Sequence, residues 1–326
     1  IYFFLNLATM FTIQTAVTIV TAGLASNLFG LSTDMVSWSI FITIICYIIL
    51  LLGRYKLLDS LMKVIILILT LTSIFAIFIA IFNEKETLNF TQVFPSNNEL
   101  LFLIAFMGWM PAPMDISIWQ SIWLLKKKEA LKNKLSFKEG LFDFNVGYLT
   151  TVFLGICFIG LGALVMNGSG VAFSSKGNEF AKQLIDLYTS NLGEATYIII
   201  AVAAFTTMFS TTITTLDASP RSMSITLQLL FNKKNKNYYT FWITILATGT
   251  SLIFLLLLSE MASLVQIATV LSFITAPFYA ILNFSLVSSN FMPKKYKPKL
   301  FSKIHSFLGI LFLAGFTVLY LFESVN

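Results

Sequence analysis

The 326-residue sequence has little charge: Asp, Glu, Lys and Arg make up 11% of it. A soluble domain carries about 25%. With 57% hydrophobic residues and a mean hydropathy of +0.85, a secreted, cytosolic or nucleic-acid-binding globule is excluded. Cysteine is scarce as well. Cys46 and Cys157 both fall inside apolar runs, which excludes a disulfide framework and disfavours a thiolate metal centre. His305 is the single histidine, and no paired-Asp motif is present. These absences argue against a polytopic membrane enzyme and leave no place for a resident cofactor. A purely structural membrane subunit is a further rival. The chain opens Ile1-Tyr-Phe-Phe with neither an initiator Met nor a basic n-region. It reads as a chain whose natural N-terminus lies upstream, not as a signal peptide.

What the sequence does have is Phe, 33 of them, and long apolar runs. The runs lie at about 1–29, 36–52, 61–82, 100–124, 146–166, 196–217, 239–258, 262–288 and 304–322. About 20 apolar residues cross the hydrocarbon core as a helix. A closed barrel would need an alternation that is absent. The expectation is one transmembrane domain over 1–326: an all-α polytopic membrane protein with nine transmembrane helices. The fourth run, interrupted by Pro111 and Pro113, is expected to be broken. The 167–195 segment, with Asn167-Gly-Ser-Gly170, is expected to carry a short amphipathic helix near 177–188.

The net charge of +6 is not spread evenly. All of the 21 basic residues except Lys85, Lys176 and Lys182 fall in alternate loops. Those loops hold Arg54, Lys56 and Lys63; Lys126–Lys128, Lys132, Lys134 and Lys138; Arg221, Lys233, Lys234 and Lys236; and Lys294, Lys295, Lys297, Lys299 and Lys303. Cytoplasmic loops carry the excess of Lys and Arg. The Lys-rich side is therefore read as cytoplasmic in a cell (cytoplasmic) membrane. Residue 1 is then inside, the C-terminus outside, and the fourth run descends from outside to inside.

That fourth run holds the informative stretch, Phe106-Met-Gly-Trp-Met-Pro-Ala-Pro-Met-Asp115. Pro111 has no N–H for the Met107 carbonyl, and Pro113 none for that of Trp109. Gly108 weakens the helix further. Two half-helices around an unwound segment should result. Free carbonyls at membrane depth are tolerated only against protein or a wet cavity. The outer half-helix directs its negative dipole end at the gap. Carbonyls, that dipole end, the Met110 thioether and the Asp115 carboxylate together favour a cation. An interrupted helix of this kind points to a transporter binding site. The competing reading is a packing kink with Asp115 as a helix cap, against which stands the cost of an ionisable group at that depth.

Three further polar sets are present. Thr206, Thr207, Ser210, Thr211, Thr212, Thr214 and Thr215 crowd one run; hydroxyls bonding back to their own helix account for such a set, with sodium binding as the alternative. Asp217 and Arg221, spaced i, i+4, make either an interfacial structural pair or an inner gate, with Ser219-Pro220 restarting the helix. Asp143 and Asn145 stand where the fifth run begins and are read as caps, with a coupling role for Asp143 as the second reading.

Met110-Pro111 in a broken helix resembles the sixth transmembrane helix of the Nramp family of divalent-metal transporters, with its A-x-x-M-P-H motif. Gly53-Arg-Tyr-Lys-Leu57 resembles the start of the fifth family helix, Ser210-Thr-Thr-Ile-Thr214 the S-S-T-I-T run of the eighth, and Ala276-Pro277-Phe278 the L-P-F of the tenth. The resemblance covers essentially the whole chain, as family helices three to eleven, and implies the LeuT-type inverted-repeat transporter fold. It assigns a metal-binding backbone carbonyl to Met107. The motif histidine is here Ala112 and a second one Ser117, which puts the family's usual proton handling in question; Asp115 has no acidic counterpart in the motif. The family's D-P-G-N ligands would lie upstream of Ile1.

The resemblance implies secondary transport of a divalent transition metal, Mn²⁺ or Fe²⁺, with H⁺ as a candidate coupling ion. The metal ligands are then Met110, the Met107 carbonyl and Asp115. Asp217, Arg221 and Asp143 are candidates for gating or coupling. The alternative is a sodium- or proton-coupled symporter of amino acids or another small solute with the same fold. The partners are the transported ion and the lipid bilayer.

Overall fold

A computed structural model describes residues 1–52, 55–83, 97–109, 113–130, 136–166, 174, 176–193, 197–232, 237–256 and 261–323. Among these residues there are helices, turns and no strand. Helix α1 spans Tyr2–Phe29, α2 Met35–Leu51, α3 Tyr55–Asn83, α4 Asn97–Trp109 and α5 Ile116–Ala130. Helix α6 spans Phe137–Leu161 and runs into a π-helical turn at Gly162–Met166. Then come α7 Gly177–Leu192, α8 Tyr197–Leu230, α9 Tyr239–Leu256, α10 Met261–Ser288 and α11 Leu300–Glu323. Among the described residues five stretches are long and apolar enough to cross a membrane: Tyr2–Phe29, Phe137–Leu164, Tyr239–Leu256, Met261–Ser288 and Leu300–Phe322. Met35–Leu51 and Ile66–Phe82 are shorter apolar helices.

Local chemistry sets several ends. Gly30, at φ 64, closes α1 in the left-handed region, where a glycine costs least. Asp34 caps α2, accepting from the Val36 and Ser37 N–H groups. A reciprocal box starts α6: the Ser136 N–H donates to Glu139 Oε2 at 2.7 Å, and the Glu139 N–H to Ser136 Oγ at 3.3 Å. This moves the helix start well ahead of Asp143 and Asn145. Both lie inside α6 and cap nothing. Helix α8 likewise corrects the expected restart at Ser219-Pro220, since it runs unbroken through Pro220. Pro220 leaves the Leu216 carbonyl without its ladder N–H, but Arg221 Nε bonds Asp217 across the gap at 2.6 Å, and Ser222 Oγ bonds the Ser219 carbonyl at 2.8 Å.

Helix α1 is the centre of the bundle. It packs on α8, α10, α7, α2 and α9. Lipid tails are as apolar as leucine, so helices in a membrane associate through close packing of small residues and hydrogen bonds. The composition of α1 meets that need: Ala16, Ala22, Ala25, Gly23, Thr9, Thr15, Thr18 and Thr21 are all buried. At Gly23 a Cβ would stand 2.4 Å from the Gly177 carbonyl oxygen of α7, so the two helices touch through backbone. The amphipathic α7 presses Ala181 and Ile185 onto Leu24 and Ala201. Gln14, fully buried, ties α1 to α8: its Nε2 donates to the Thr212 carbonyl at 3.3 Å, and its Oε1 accepts from Thr215 Oγ1 at 2.7 Å.

The outer helices read the opposite way. Leu67, Leu71, Phe75, Phe78 and Phe82 of α3, Phe142, Leu149 and Ile156 of α6, and Phe307, Leu311 and Val318 of α11 are exposed. Water would not tolerate apolar faces of that extent on a monomer; hydrocarbon does. The chain is an all-α, polytopic membrane protein.

Candidate functional site

The fourth apolar run is two helices. Helix α4 ends at Trp109 and α5 begins at Ile116. Met110, Pro111 and Ala112 lie outside the described residues. Beyond them the chain turns before the second helix: the Ile116 N–H donates to the Pro113 carbonyl at 3.2 Å, the Ser117 N–H to that of Met114 at 3.2 Å, and the Ile118 N–H to that of Asp115 at 2.9 Å. Pro111 and Pro113 carry no N–H, so neither the Met107 nor the Trp109 carbonyl receives its ladder donor. Met107 stands half-buried in the last turn of α4.

Both half-helices are fixed against α10. Gly108 was expected to loosen α4. Instead α4 is helical through it, and a Cβ there would meet the Thr269 carbonyl oxygen at 2.1 Å. Gly108 is the point where the α4 and α10 backbones touch. Next to it, Trp109 Nε1 donates to Ser272 Oγ at 2.9 Å. On the other side of the break, Asn283 Nδ2 of α10 donates to Ser117 Oγ at 2.8 Å. Ser117 itself donates to the Met114 carbonyl at 2.7 Å, so it works as a link between turn and bundle.

Asp115 is 2% exposed, and neither carboxylate oxygen has a hydrogen-bond partner among the described residues. The Asp115 and Ile116 N–H groups face it without forming a bond of proper geometry. A capping carboxylate would accept from the N–H two or three residues ahead; this one does not. It stands at the positive end of the α5 dipole, which favours a negative charge, but a carboxylate so placed still lacks a partner. The phenols of Tyr2 and Tyr279 lie within electrostatic range of it. Their rings meet edge to face, with centroids 6.1 Å apart.

Asp217 shows what a satisfied acid looks like in the same bundle. It is 1% exposed. Arg221 Nε donates to Oδ2 at 2.6 Å, Tyr239 Oη to Oδ1 at 2.7 Å, and Trp123 Nε1 of α5 to Oδ2 at 3.4 Å. The Arg221 guanidinium also lies 4.6 Å from the Tyr239 ring centre. Asp217 is buried and Arg221 about a quarter exposed, and the pair joins α8 to α9 and α5. Asp143 sits apart from both acids, on the surface of α6, where Lys127 Nζ contacts Oδ2 at 2.8 Å with both side chains nearly half exposed. A pair so placed contributes little.

The hydroxyl-rich run of α8 bonds back to its own helix, and Thr212 and Thr215 also bond to α1. Thr206, Thr207, Ser210, Thr211, Thr212 and Thr215 donate to carbonyls three or four residues back at 2.7–3.1 Å, and Thr214 donates to the Ser210 carbonyl.

Sequence reasoning passed over Tyr2, Asn6, Gln14 and Tyr279. Asn6 and Gln14 carried a signal, as amides inside an otherwise apolar run. Tyr2 and Tyr279 carried none, because a tyrosine near a helix end reads as an interfacial anchor. Among the described residues no group of three or more His, Cys, Asp or Glu side chains stands together.

Residues 1–323 match the family described as natural resistance-associated macrophage protein-like. The whole chain also aligns with an uncharacterized protein of Pasteurella multocida (strain Pm70), 34% identical over 333 residues and covering 76% of that relative. A match of this extent, on a chain whose fourth apolar run is broken where the Met-Pro motif falls, places the protein in the Nramp family, whose members transport divalent metal ions.

Proposed function

We propose that the protein is a secondary transporter of Mn²⁺ or Fe²⁺ that carries the ion into the cytoplasm through the α4–α5 break. The observation that carries this reading is Asp115: a carboxylate 2% exposed, without a partner among the described residues, beside a break in a membrane helix. A buried charge without a partner is costly, and a cation offsets that cost. The Met110 thioether and the Met107 carbonyl complete the set from this chain. The thioether selects softer transition metals over Ca²⁺ and Mg²⁺. The fold is the LeuT-type inverted repeat, with these helices as family helices three to eleven and the Lys-rich loops in the cytoplasm. The Asp217–Arg221 pair, which ties α8 to α9 and α5, acts as an inner gate. Asp143, paired only at the surface, is the weakest candidate for coupling. Proton coupling, if present, does not use the two family histidine positions, which are Ala112 and Ser117 here. The amino-acid symporter reading gains no support from the family.

The test is Met110→Ala in the full-length protein reconstituted in vesicles. Uptake of Mn²⁺ and Cd²⁺ should fall by tenfold or more, on the order of a lost ligand, with any Ca²⁺ or Mg²⁺ uptake changing much less. Equal losses for all four ions would show that Met110 packs and does not ligate.

A further inference from the structure

Asp115 is not the only polar group left open. Among the described residues Asn6 Oδ1 of α1 is also buried without a partner, and Tyr2 Oη of α1 and Tyr279 Oη of α10 are buried facing the Ser222 and Thr9 hydroxyls without a bond of proper geometry. Asn6 is 0% exposed and Tyr279 2%. The Asn6 amide donates through Nδ2 to Ser222 Oγ of α8 at 2.9 Å, which fixes the side chain and leaves its oxygen open. Leaving buried polar atoms unpaired costs about 1–3 kcal/mol each, and more for a charge. Unpaired buried atoms occur elsewhere among the described residues, on Ser39, Trp119, Trp242, Thr250 and Ser288, but those are neutral hydroxyl and indole groups; the other buried acid, Asp217, has three donors, and the amide of Gln14 is bonded at both ends. The open atoms belong to three separated segments, the first two turns of α1, the turn before α5 and the later part of α10. The rings of Tyr2 and Tyr279 meet edge to face, and both phenols lie within electrostatic range of Asp115.

The chemistry of the set names its ligand. A carboxylate excludes an anion. An amide oxygen accepts and cannot donate, so it needs a cation or a donor. The phenols can bond to water in a metal's shell. The set offers no sulfur and no imidazole. Oxygen donors of this kind suit hard divalent cations, and the smaller of these give up their water reluctantly.

We propose that Asp115, Asn6, Tyr2 and Tyr279 form an all-oxygen station for a partly hydrated hard divalent cation beside the α4–α5 break. Asp115 and the Asn6 amide oxygen contact the ion, and the two phenols bond to the waters it keeps. The station deepens the transport reading and rests on it: an ion that passes the soft thioether at the break next meets hard ligands, so Mg²⁺ competes here but not at Met110.

Mn²⁺ and Cd²⁺ binding to the detergent-purified full-length protein, measured with and without Mg²⁺, tests this. In the parent, Mg²⁺ should displace Mn²⁺ from one site and leave Cd²⁺ bound. Asp115→Asn should weaken that Mn²⁺ site by about tenfold or more, given the dependence of affinity on ligand charge, and abolish Mg²⁺ competition, with a smaller loss for Cd²⁺, which the Met110 thioether still holds. Asn6→Asp adds a carboxylate at constant shape and should tighten Mn²⁺ and Mg²⁺ binding, which guards against a variant that merely misfolds. The proposal is overturned if Mg²⁺ displaces no Mn²⁺ from the parent, or if Asp115→Asn leaves Mn²⁺ binding and its competition unchanged. A parent that binds neither Cd²⁺ nor Mn²⁺ overturns the transport reading as well, so the two failures are distinguishable.

Discussion

Replacing Gly108 by Ala adds one methyl group at the tightest point between α4 and α10. Two effects oppose each other. Alanine is the better helix former by about 1 kcal/mol, and Gly108 lies within α4, so a helix-weakening role predicts a gain in stability. The contact predicts a loss. The new Cβ would meet the Thr269 carbonyl oxygen at 2.1 Å and Phe273 Cβ at 3.3 Å. Relaxed carbon contacts lie near 3.5 Å, so α4 and α10 must part by roughly 1 Å. The obstacle is a backbone carbonyl, which cannot rotate aside as a side chain would. Overpacking of this kind costs about 1–3 kcal/mol, so the loss outweighs the gain. The same displacement stretches the bond from Trp109 Nε1 to Ser272 Oγ, now 2.9 Å. Gly108→Ala should therefore lower the thermal midpoint of the purified protein by a few degrees, shift tryptophan emission in the direction seen for Ser272→Ala, and reduce metal uptake. A midpoint equal to or above the parent's would refute the packing role and return Gly108 to the role of helix breaker.

Asp217→Ala should be costly for a different reason. It leaves Arg221, three-quarters buried, together with Tyr239 and Trp123, without their shared acceptor. Breaking a buried pair costs about 3–5 kcal/mol, and the partial exposure of Arg221 points to the lower end. Adding Arg221→Leu should recover much of the loss in a melt, whereas equal stabilities of parent and single variant would show the network to be ornamental. For topology, a cysteine introduced at Lys132 in the full-length protein should resist impermeant reagents applied outside whole cells. Its labelling would reverse the orientation and with it the assignment of which dipole end faces the incoming ion.

Much of the site was legible because it depends on covalent facts. A proline has no N–H wherever it stands, so Pro111 and Pro113 announce a break without any knowledge of neighbours. The depth of Asp115 followed from the apolar residues around it. The same rule failed at Pro220, where α8 continues, because Arg221, Asp217 and Ser222 rebuild bonds across the gap and a single proline frees only one carbonyl. Asp143 was misplaced since the apolar run begins well after the helix does. Ser136 and Glu139 set that start through hydrogen bonds that hydropathy does not register. Back-bonding in the threonine run was legible, since a hydroxyl three or four residues ahead of a carbonyl finds it within one helix; the bonds from Thr212 and Thr215 to α1 were not.

The sequence by itself determined that this is an all-α membrane protein, where its fourth apolar run breaks, and which acid stands beside the break. Those are consequences of hydropathy, of a missing N–H and of order along one chain. Only the tertiary structure decided that Asp217 is satisfied and Asp115 is not. It alone showed that Gly108 is a backbone contact and that Tyr2 and Tyr279 stand ring to ring within electrostatic range of Asp115. Whether a polar atom finds a partner depends on which helices lie beside it, and α1, α8 and α10 are brought together by packing of small residues across hundreds of positions of sequence, a relation that no local pattern encodes.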